Sequence, residues 1–286
     1  MNIEHLRAFL EVASTGSFQL AAEKMFITQS TASARIKSLE DRLDRILFIR
    51  NPNGAELTRA GHHLYPHAQT AVSAWERARQ DISLPDELTG VFSLGVQLNY
   101  WDVITPVWLE WMQKEAPLIA PAIISDYSEQ LMRKLRNGLL DLAILCTPQQ
   151  HPNLEIEKFI EEPIILVSTH ENEMNKIRGQ GYVFVDWNGE FRAQHALLFP
   201  QAPVPHLSVG LGLVGLNYIL KSGGSGYFLE SMVNPLIQQG KLYRVIKAPV
   251  FTHQTYMVSP IKPNSPELLK VAKDELKKLV PAAMNR

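Results

Sequence analysis

Cysteine is almost absent from this chain, and so are net charge and long apolar runs. One cysteine, Cys146, stands in 286 residues, which excludes an internal disulfide and a thiolate zinc site. No apolar run approaches the roughly 18 residues that a spanning helix needs. The opening MNIEHLRAFLEV has no basic region followed by a long apolar block. No export signal is expected, the default compartment is the cytoplasm, and no membrane partner is expected. Formal charge is −1, so composition announces no polyanionic partner. Residues 1–60 carry eight Lys and Arg against seven Asp and Glu, so any cation that meets nucleic acid does so by placement.

Catalytic signatures are missing too. There is no G-x-S-x-G elbow, no H-E-x-x-H pair and no phosphate-cradling G-x-x-x-x-G-K loop. No catalytic residue, cofactor or metal is expected. His63 and His67 have a metal-compatible spacing beside His62, but no carboxylate or cysteine completes a set nearby, so they read as surface histidines. Gly210, Gly212 and Gly215 of GLGLVG formally fit a dinucleotide fingerprint. They lie late in the chain, and no acid clearly ends a second strand about 20 residues on. They read as a turn into a helix, or as free N–H groups for an anionic effector. Cys146 ends the apolar run LLDLAIL and reads as a buried strand-end residue, the alternative being a reactive thiol beside a ligand cleft.

What is present is an ordinary globular composition, 45% apolar and 20% charged, long enough for about two domains. The run Gly16 to Lys37, GSFQLAAEKMFITQSTASARIK, predicts a short helix, a tight turn near Phe26 and Ile27, and a second helix reaching about Leu43. Ser17 caps the first helix and Thr28 or Ser30 the second. Ala32, Ile36, Leu39 and Leu43 form one apolar face. The other face offers Gln29, Ser30, Thr31, Ser33, Arg35 and Lys37, suited to base edges and phosphates. ILFIRN and AELT predict a hairpin around Asn51–Pro52–Asn53–Gly54, with Arg50 placed for a phosphate. Thr58 then caps a long helix from about Arg59 to Ser83, kinked at Pro66. Its stripe of Leu64, Ala68, Ala71, Trp75, Ala78 and Ile82 predicts a dimerisation helix, because a lone helix leaves such a stripe unburied. From Val91 strands alternate with helices, which predicts an α/β region. Candidate strands are VFSLGV, APAIIS, LDLAIL, EEPIILVST, GYVFVDW, PHLSVG, GYFLE and TYMVSP, and a final helix spans about Pro266 to Val280.

The ordered segments Phe9–Leu10–Glu11–Val12–Ala13, GSFQLAAEKM, TQSTAS, IKSLEDRL, LFIRN and ELTRAG strongly resemble the N-terminal domain of LysR-type transcriptional regulators. NGLLDLAIL and KSGGSGYFLESMV resemble that family's effector domain. VDWNGEFRAQHALLF is similar to a subgroup typified by the repressor of the flagellar master operon. The resemblance implies an α/β fold with a winged helix-turn-helix at 1–58, a linker helix at 59–87 and a two-lobed domain at 88–286 like periplasmic binding proteins. Lobe I would hold about 88–161 and 263–286, and lobe II about 162–262, with crossings near Glu161–Pro163 and Ser259–Pro263. It further implies double-stranded DNA, a small-molecule effector and RNA polymerase as partners, and a dimer that assembles into a homotetramer. The DNA-facing set is then Ser17, Gln29, Ser30, Thr31, Ser33, Ala34, Arg35, Lys37 and Arg50.

Two departures stand out. Ala34 holds a position that is usually basic, so Arg35 is expected to take over a phosphate contact. Asp44 replaces the usual glycine after the second helix, so a blunter helix end is expected. Ligands in open α/β sheets sit beyond the carboxyl ends of strands. Gln97, Asn99, Tyr100, Trp101, Ser128, Thr147, Phe199 and Tyr227 are therefore the expected cleft residues. The rival reading is a cytoplasmic two-lobed binding protein or enzyme with an accessory helical domain. The missing export signal and catalytic motif weigh against it.

Overall fold

The structure, a computed structural model, describes residues 2–51, 54–171, 181–201, 204–205 and 207–284. Two compact units emerge, Met1–Glu87 with Asn137–Leu139, and Leu88–Arg136 with Leu140–Arg286.

The first unit contains α1 (Ile3–Thr15), α2 (Phe18–Lys24), α3 (Gln29–Leu43), a hairpin of β1 (Phe48–Asn51) and β2 (Gly54–Leu57), and α4 (Arg59–Ile82). Local chemistry sets each boundary. Ser17 accepts from the Leu20 N–H and starts α2, and Thr28 accepts from the Thr31 N–H and starts α3. Leu6, Phe9, Val12, Phe18, Ile36, Leu39 and Phe48 close one core. Ala21 is fully buried there, which lets neighbouring helices approach. The hairpin pairs Phe48 with Leu57 through Asn51 with Gly54. Its tip, Pro52 and Asn53, lies outside the described residues. Ala55 N–H donates to the Gly16 carbonyl at 2.7 Å, and a Cβ on Gly54 would stand 2.3 Å from that oxygen. The hairpin can dock on the end of α1 only because residue 54 has no side chain.

Two expectations change here. Asp44 does not blunt α3. It takes the left-handed conformation itself (φ 49°), and its N–H closes on the Glu40 carbonyl, since a short polar residue tolerates that geometry better than most. The α4 stripe is divided. Ala68 is 1% exposed and Leu64 and Ala71 pack beside it on the core of their own chain, while Trp75 is 48% and Ile82 85% exposed. The stripe faces two ways because its first half is already used.

The second unit contains β3 (Gly90–Gln97), α5 (Trp101–Glu115), β4 (Ile119–Asp126), α6 (Ser128–Arg136), β5 (Leu142–Leu145), β6 (Leu154–Ser168), β7 (Tyr182–Val185), α7 (Gly189–Leu198), β8 (Leu207–Val209), α8 (Gly212–Ser222), β9 (Ser225–Leu229), α9 (Glu230–Gln238), β10 (Tyr243–Arg244), β11 (Phe251–Pro260) and α10 (Pro266–Met284). His206 of the expected PHLSVG strand lies outside the described residues. The strands hydrogen-bond in the order β4-β3-β5-β11-β6-β9-β7-β8, with β10 beside β6. β3 runs parallel to β4 and β5 in one lobe, and β7 parallel to β8 and β9 in the other. The two lobes share one ladder, because the long strands β6 and β11 pair antiparallel through both. The return crossing falls at the register shift between Gln254 and Tyr256, earlier than the expected Ser259–Pro263. Tyr256–Val258 already pair with β5 of the first lobe. Among the described residues no helix is long and apolar enough to cross a membrane.

Replacing Asp44 by glycine keeps the left-handed cap and removes its Cβ penalty. Asp44→Gly is expected to stabilise the first unit by about 0.5–1 kcal/mol, read as a higher thermal midpoint. A lower midpoint would contradict the cap geometry.

Candidate nucleic-acid interface and ligand cleft

In the first unit, α3 turns Ala32, Ile36 and Leu39 inward and leaves Gln29, Ser30, Thr31, Ala34 and Lys37 exposed, with Ser33 half-buried between. Thr28 Oγ1 lies 2.8 Å from both the Ser30 and Thr31 hydroxyls, so the first turn presents a knot of hydroxyl groups. On β1, the Arg50 guanidinium lies 4.0 Å above the Phe18 ring and reaches to 3.5 Å from Ser33 Oγ. Cation–π attraction holds this exposed cation beside the helix face. The Ser17 hydroxyl is engaged as the α2 cap.

Arg35, expected at a phosphate, is paired within its own chain. Its Nη1 pairs with Glu4 Oε2 at 3.3 Å, and the side chain is mostly covered. Glu4 also binds Arg7. Arg35 thus ties α3 to α1, and Lys37 and Arg50 are the exposed cations of the predicted set. His62, His63 and His67 lie exposed along α4. Among the described residues no group of three metal-ligating side chains converges.

In the second unit a cleft of about 450 Å³ opens beyond the carboxyl ends of the parallel strands. One wall carries Gln97, Asn99, Tyr127, Ser128, Glu129, Cys146 and Thr147, and the other Asp186, Trp187, Asn188, Gly189, Arg192 and Gly210. Four expected residues therefore line it: Gln97, Asn99, Ser128 and Thr147. Their roles differ. The Ser128 hydroxyl donates to Gln97 Oε1 at 2.7 Å and accepts from the Cys146 and Thr147 N–H groups at 3.3 and 3.2 Å. Its capacity is spent on shaping the wall. Asn99 reaches across the cleft. Its Nδ2 donates to the Gly210 carbonyl at 3.3 Å, and its Oδ1 accepts from the Gly212 N–H at 2.9 Å. It ties one lobe to the other and caps the start of α8.

The other four expected residues are elsewhere. Tyr100 is buried in the core, donating to Glu162 Oε1 at 2.8 Å and stacking on His253. Tyr227 is fully buried among Phe191, His195 and Phe251. Phe199 caps the far end of α7, about 15 Å along the helix from Gly189 at the cleft. Trp101 is 47% exposed at the start of α5 and is not part of the wall.

Sequence reasoning missed the Asp186–Trp187–Asn188–Gly189 wall. Its signal was a strand, YVFV, followed by polar residues and an Asn helix cap. Asn188 Oδ1 accepts from the Phe191 N–H to start α7. Arg192 pairs with Asp186 Oδ2, while the buried Oδ1 has no partner among the described residues. A Cβ on Gly212 would stand 2.4 Å from the Trp187 ring. The glycine-run reading as a turn into a helix holds, and Gly212 gives the ring room.

Behind the cleft floor lies a polar chain. Cys146 Sγ is 3.2 Å from His253 Nε2, and Asn188 Nδ2 is 3.4 Å from His253 Nδ1. Because Asn188 Oδ1 is already the cap acceptor, its Nδ2 donates to Nδ1. The imidazole proton then sits on Nε2 and faces sulfur. Burial, then the Glu162 charge, pushes the Cys146 thiol up to about 12, and burial pushes His253 down to about 4. Burial also raises Glu162, partly offset by hydrogen bonds from Ser231 and Tyr100. Near neutral pH the pair is a thiol and a neutral imidazole.

Comparison with known proteins places these features. Residues 3–62 match the family described as bacterial regulatory helix-turn-helix protein, lysR family. Residues 85–280 match the LysR substrate binding domain. The HTH-type transcriptional regulator HdfR of Yersinia enterocolitica is 27% identical over 240 residues, covering 80% of this chain and 82% of that protein. Full-length OxyR from Pseudomonas aeruginosa superposes with a TM-score of 0.59 at 20% identity, covering 97% of this chain and 95% of that one. DarR of Vibrio fischeri in complex with DNA gives a TM-score of 0.56 at 17% identity, covering 98% of each chain. At these identities the solved structures share the fold.

His253 also makes stability depend on acid. The unfolded chain binds a proton at the ordinary 6.5, whereas the folded chain refuses it down to about 4. Stability from this group is complete above the unfolded value and is lost as pH falls toward the folded one, by roughly 3 kcal/mol. Glu162 acts in the opposite sense. His253→Gln is therefore expected to lose less stability than wild type between about pH 7 and pH 4.5 in urea titrations. Equal losses would place His253 in contact with water.

Proposed function

The chain belongs to the LysR family of bacterial regulatory helix-turn-helix proteins, and from that premise we propose how this DNA-binding transcriptional regulator divides its work. It is not an enzyme. Residues 1–58 read DNA, 59–87 link, and 88–286 sense a small molecule. α3 enters the major groove with Gln29, Ser30, Thr31, Ser33 and Ala34 toward base edges. Ala34 offers its methyl group to a thymine, and Lys37 and Arg50 meet phosphates. The observation that carries this reading is the α3 face itself. Its polar side chains stand exposed beside an arginine held in place by an aromatic ring. Trp75 and Ile82, exposed on α4, pair with a second copy, and dimers assemble into a tetramer in the cytoplasm, where RNA polymerase is within reach.

The cleft takes a small polar effector. The wall groups with spare capacity are the Gln97 amide nitrogen and the Thr147 hydroxyl, so the effector offers hydrogen-bond acceptors. Its binding shifts the assembly between two arrangements that space or bend the DNA half-sites differently. Asn99 adjusts that balance by holding the lobes together.

Gln29→Ala or Ser33→Ala is expected to cost about 1–3 kcal/mol on a specific site and to relax base preference. Arg50→Ala weakens every sequence alike and lowers the salt dependence. Footprints indistinguishable from wild type would reject α3 as the reading helix.

In a metabolite panel followed by thermal shift, wild type is expected to respond to a subset of compounds. Gln97→Ala should lose that response while retaining DNA affinity. Joint loss of both in a folded variant would refute the division of labour.

A further inference from the structure

The turn that launches α3 contains a residue that helix chemistry does not ask for. Ile27 N–H donates to the Ala22 carbonyl at 3.0 Å, and Phe26 N–H to the Glu23 carbonyl at 3.1 Å. This pair of bonds is the Schellman closure of a helix, and its left-handed position is the usual home of glycine. Phe26 occupies that position with φ 54°. A bulky side chain there carries a steric penalty that glycine avoids.

Packing does not offset the penalty. The Phe26 side chain is 95% exposed, the most exposed large apolar residue described in the chain. The two observations are independent, one of backbone and one of solvent contact, and both count against phenylalanine on grounds of stability. Strained residues that persist in this way concentrate where another molecule is met.

Phe26 stands two residues before Thr28, the cap of α3, and three before Gln29. Its Cα lies within about 8 Å of the helix entry point, given the Cα spacing of an extended chain. In a helix-turn-helix the residues that open the second helix enter the major groove while the preceding helix crosses the backbone. A ring at the junction meets the groove rim, where the carbon face of the deoxyribose chain is exposed between phosphates. We infer that Phe26 is a DNA-contact residue that packs its ring on the sugar–phosphate backbone beside the α3 entry point. This rests on α3 being the reading helix. The contact is apolar, so it strengthens binding without displacing counterions and without selecting a base.

The test uses the full-length protein and two duplexes, one selected by wild type from a random-sequence pool and one unrelated. Phe26→Gly and Phe26→Asn both tolerate the left-handed turn. Each is expected to melt at or above the wild-type temperature and yet bind both duplexes about fivefold more weakly, as expected for losing roughly half of a phenylalanine's burial. The slope of affinity against salt should not change, and Phe26→Tyr should restore affinity. A merely structural residue would move stability and affinity in the same direction. Affinity within twofold of wild type for both variants overturns the inference. If promoter output nonetheless falls, the ring serves a contact with polymerase instead. Weakening of the selected duplex alone would assign the ring to base edges and also overturn it. Altered sedimentation would place the ring between chains, with the same consequence. Gln29→Ala run alongside separates the two ideas, because its silence would reject α3 as the reading helix, whereas silence of the Phe26 variants alone rejects only the ring.

Discussion

Antiparallel pairing between β6 and β11 is the interaction on which the larger unit depends. β5, β3 and β4 hang from one end of that ladder, and β9, β7 and β8 from the other. Where the ladder passes between lobes its register shifts, and side chains repair the gap. Gln254 Nε2 donates to the Ile160 carbonyl at 2.8 Å, and Thr255 Oγ1 accepts from the Ile160 N–H at 3.2 Å. A bulge with its polar groups satisfied bends without exposing backbone. The lobes are joined by continuous sheet, and the bulge marks where one lobe's pairing gives way to the other's.

This constraint also explains where the chemistry collects. Parallel strands in both lobes bring their carboxyl ends toward one cleft, and three helices begin there, at Ser128, Gly189 and Gly212. The buried groups behind it are kept uncharged where they can be. Cys146 faces the imidazole N–H of His253, Tyr100 covers the ring, and Glu162 receives hydrogen bonds from Tyr100 and Ser231. The floor is buried and internally hydrogen-bonded, and the groups with spare hydrogen-bonding capacity stand on the walls.

Much of the small unit was legible in sequence because its signals are local. A cap at Ser17, a cap at Thr28 and apolar residues at helical spacing need no distant partner to be read. The pairing of Arg35 was not legible because its partner, Glu4, lies 31 positions away and no periodicity reports it. The first wall of the cleft was legible because residues just after a parallel strand must lie at its carboxyl end. The second was not. Tyr227 lies on a strand buried on both faces, where alternation carries no information about direction. Phe199 looked like a strand end but closes a helix whose other end forms the wall. The lobe crossing at Gln254–Tyr256 was invisible for a related reason: one continuous strand serves both lobes.

The Asn99 bridge has a consequence for how this protein measures concentration. An amide that already holds the Gly210–Gly212 backbone makes the empty cleft its own first occupant. An effector that needed those backbone groups would compete with a tethered rival that never diffuses away. Its apparent affinity is the intrinsic one scaled by the fraction of molecules in which the bridge is open. For an effector of that kind, the bridge would raise the concentration needed for half-occupancy.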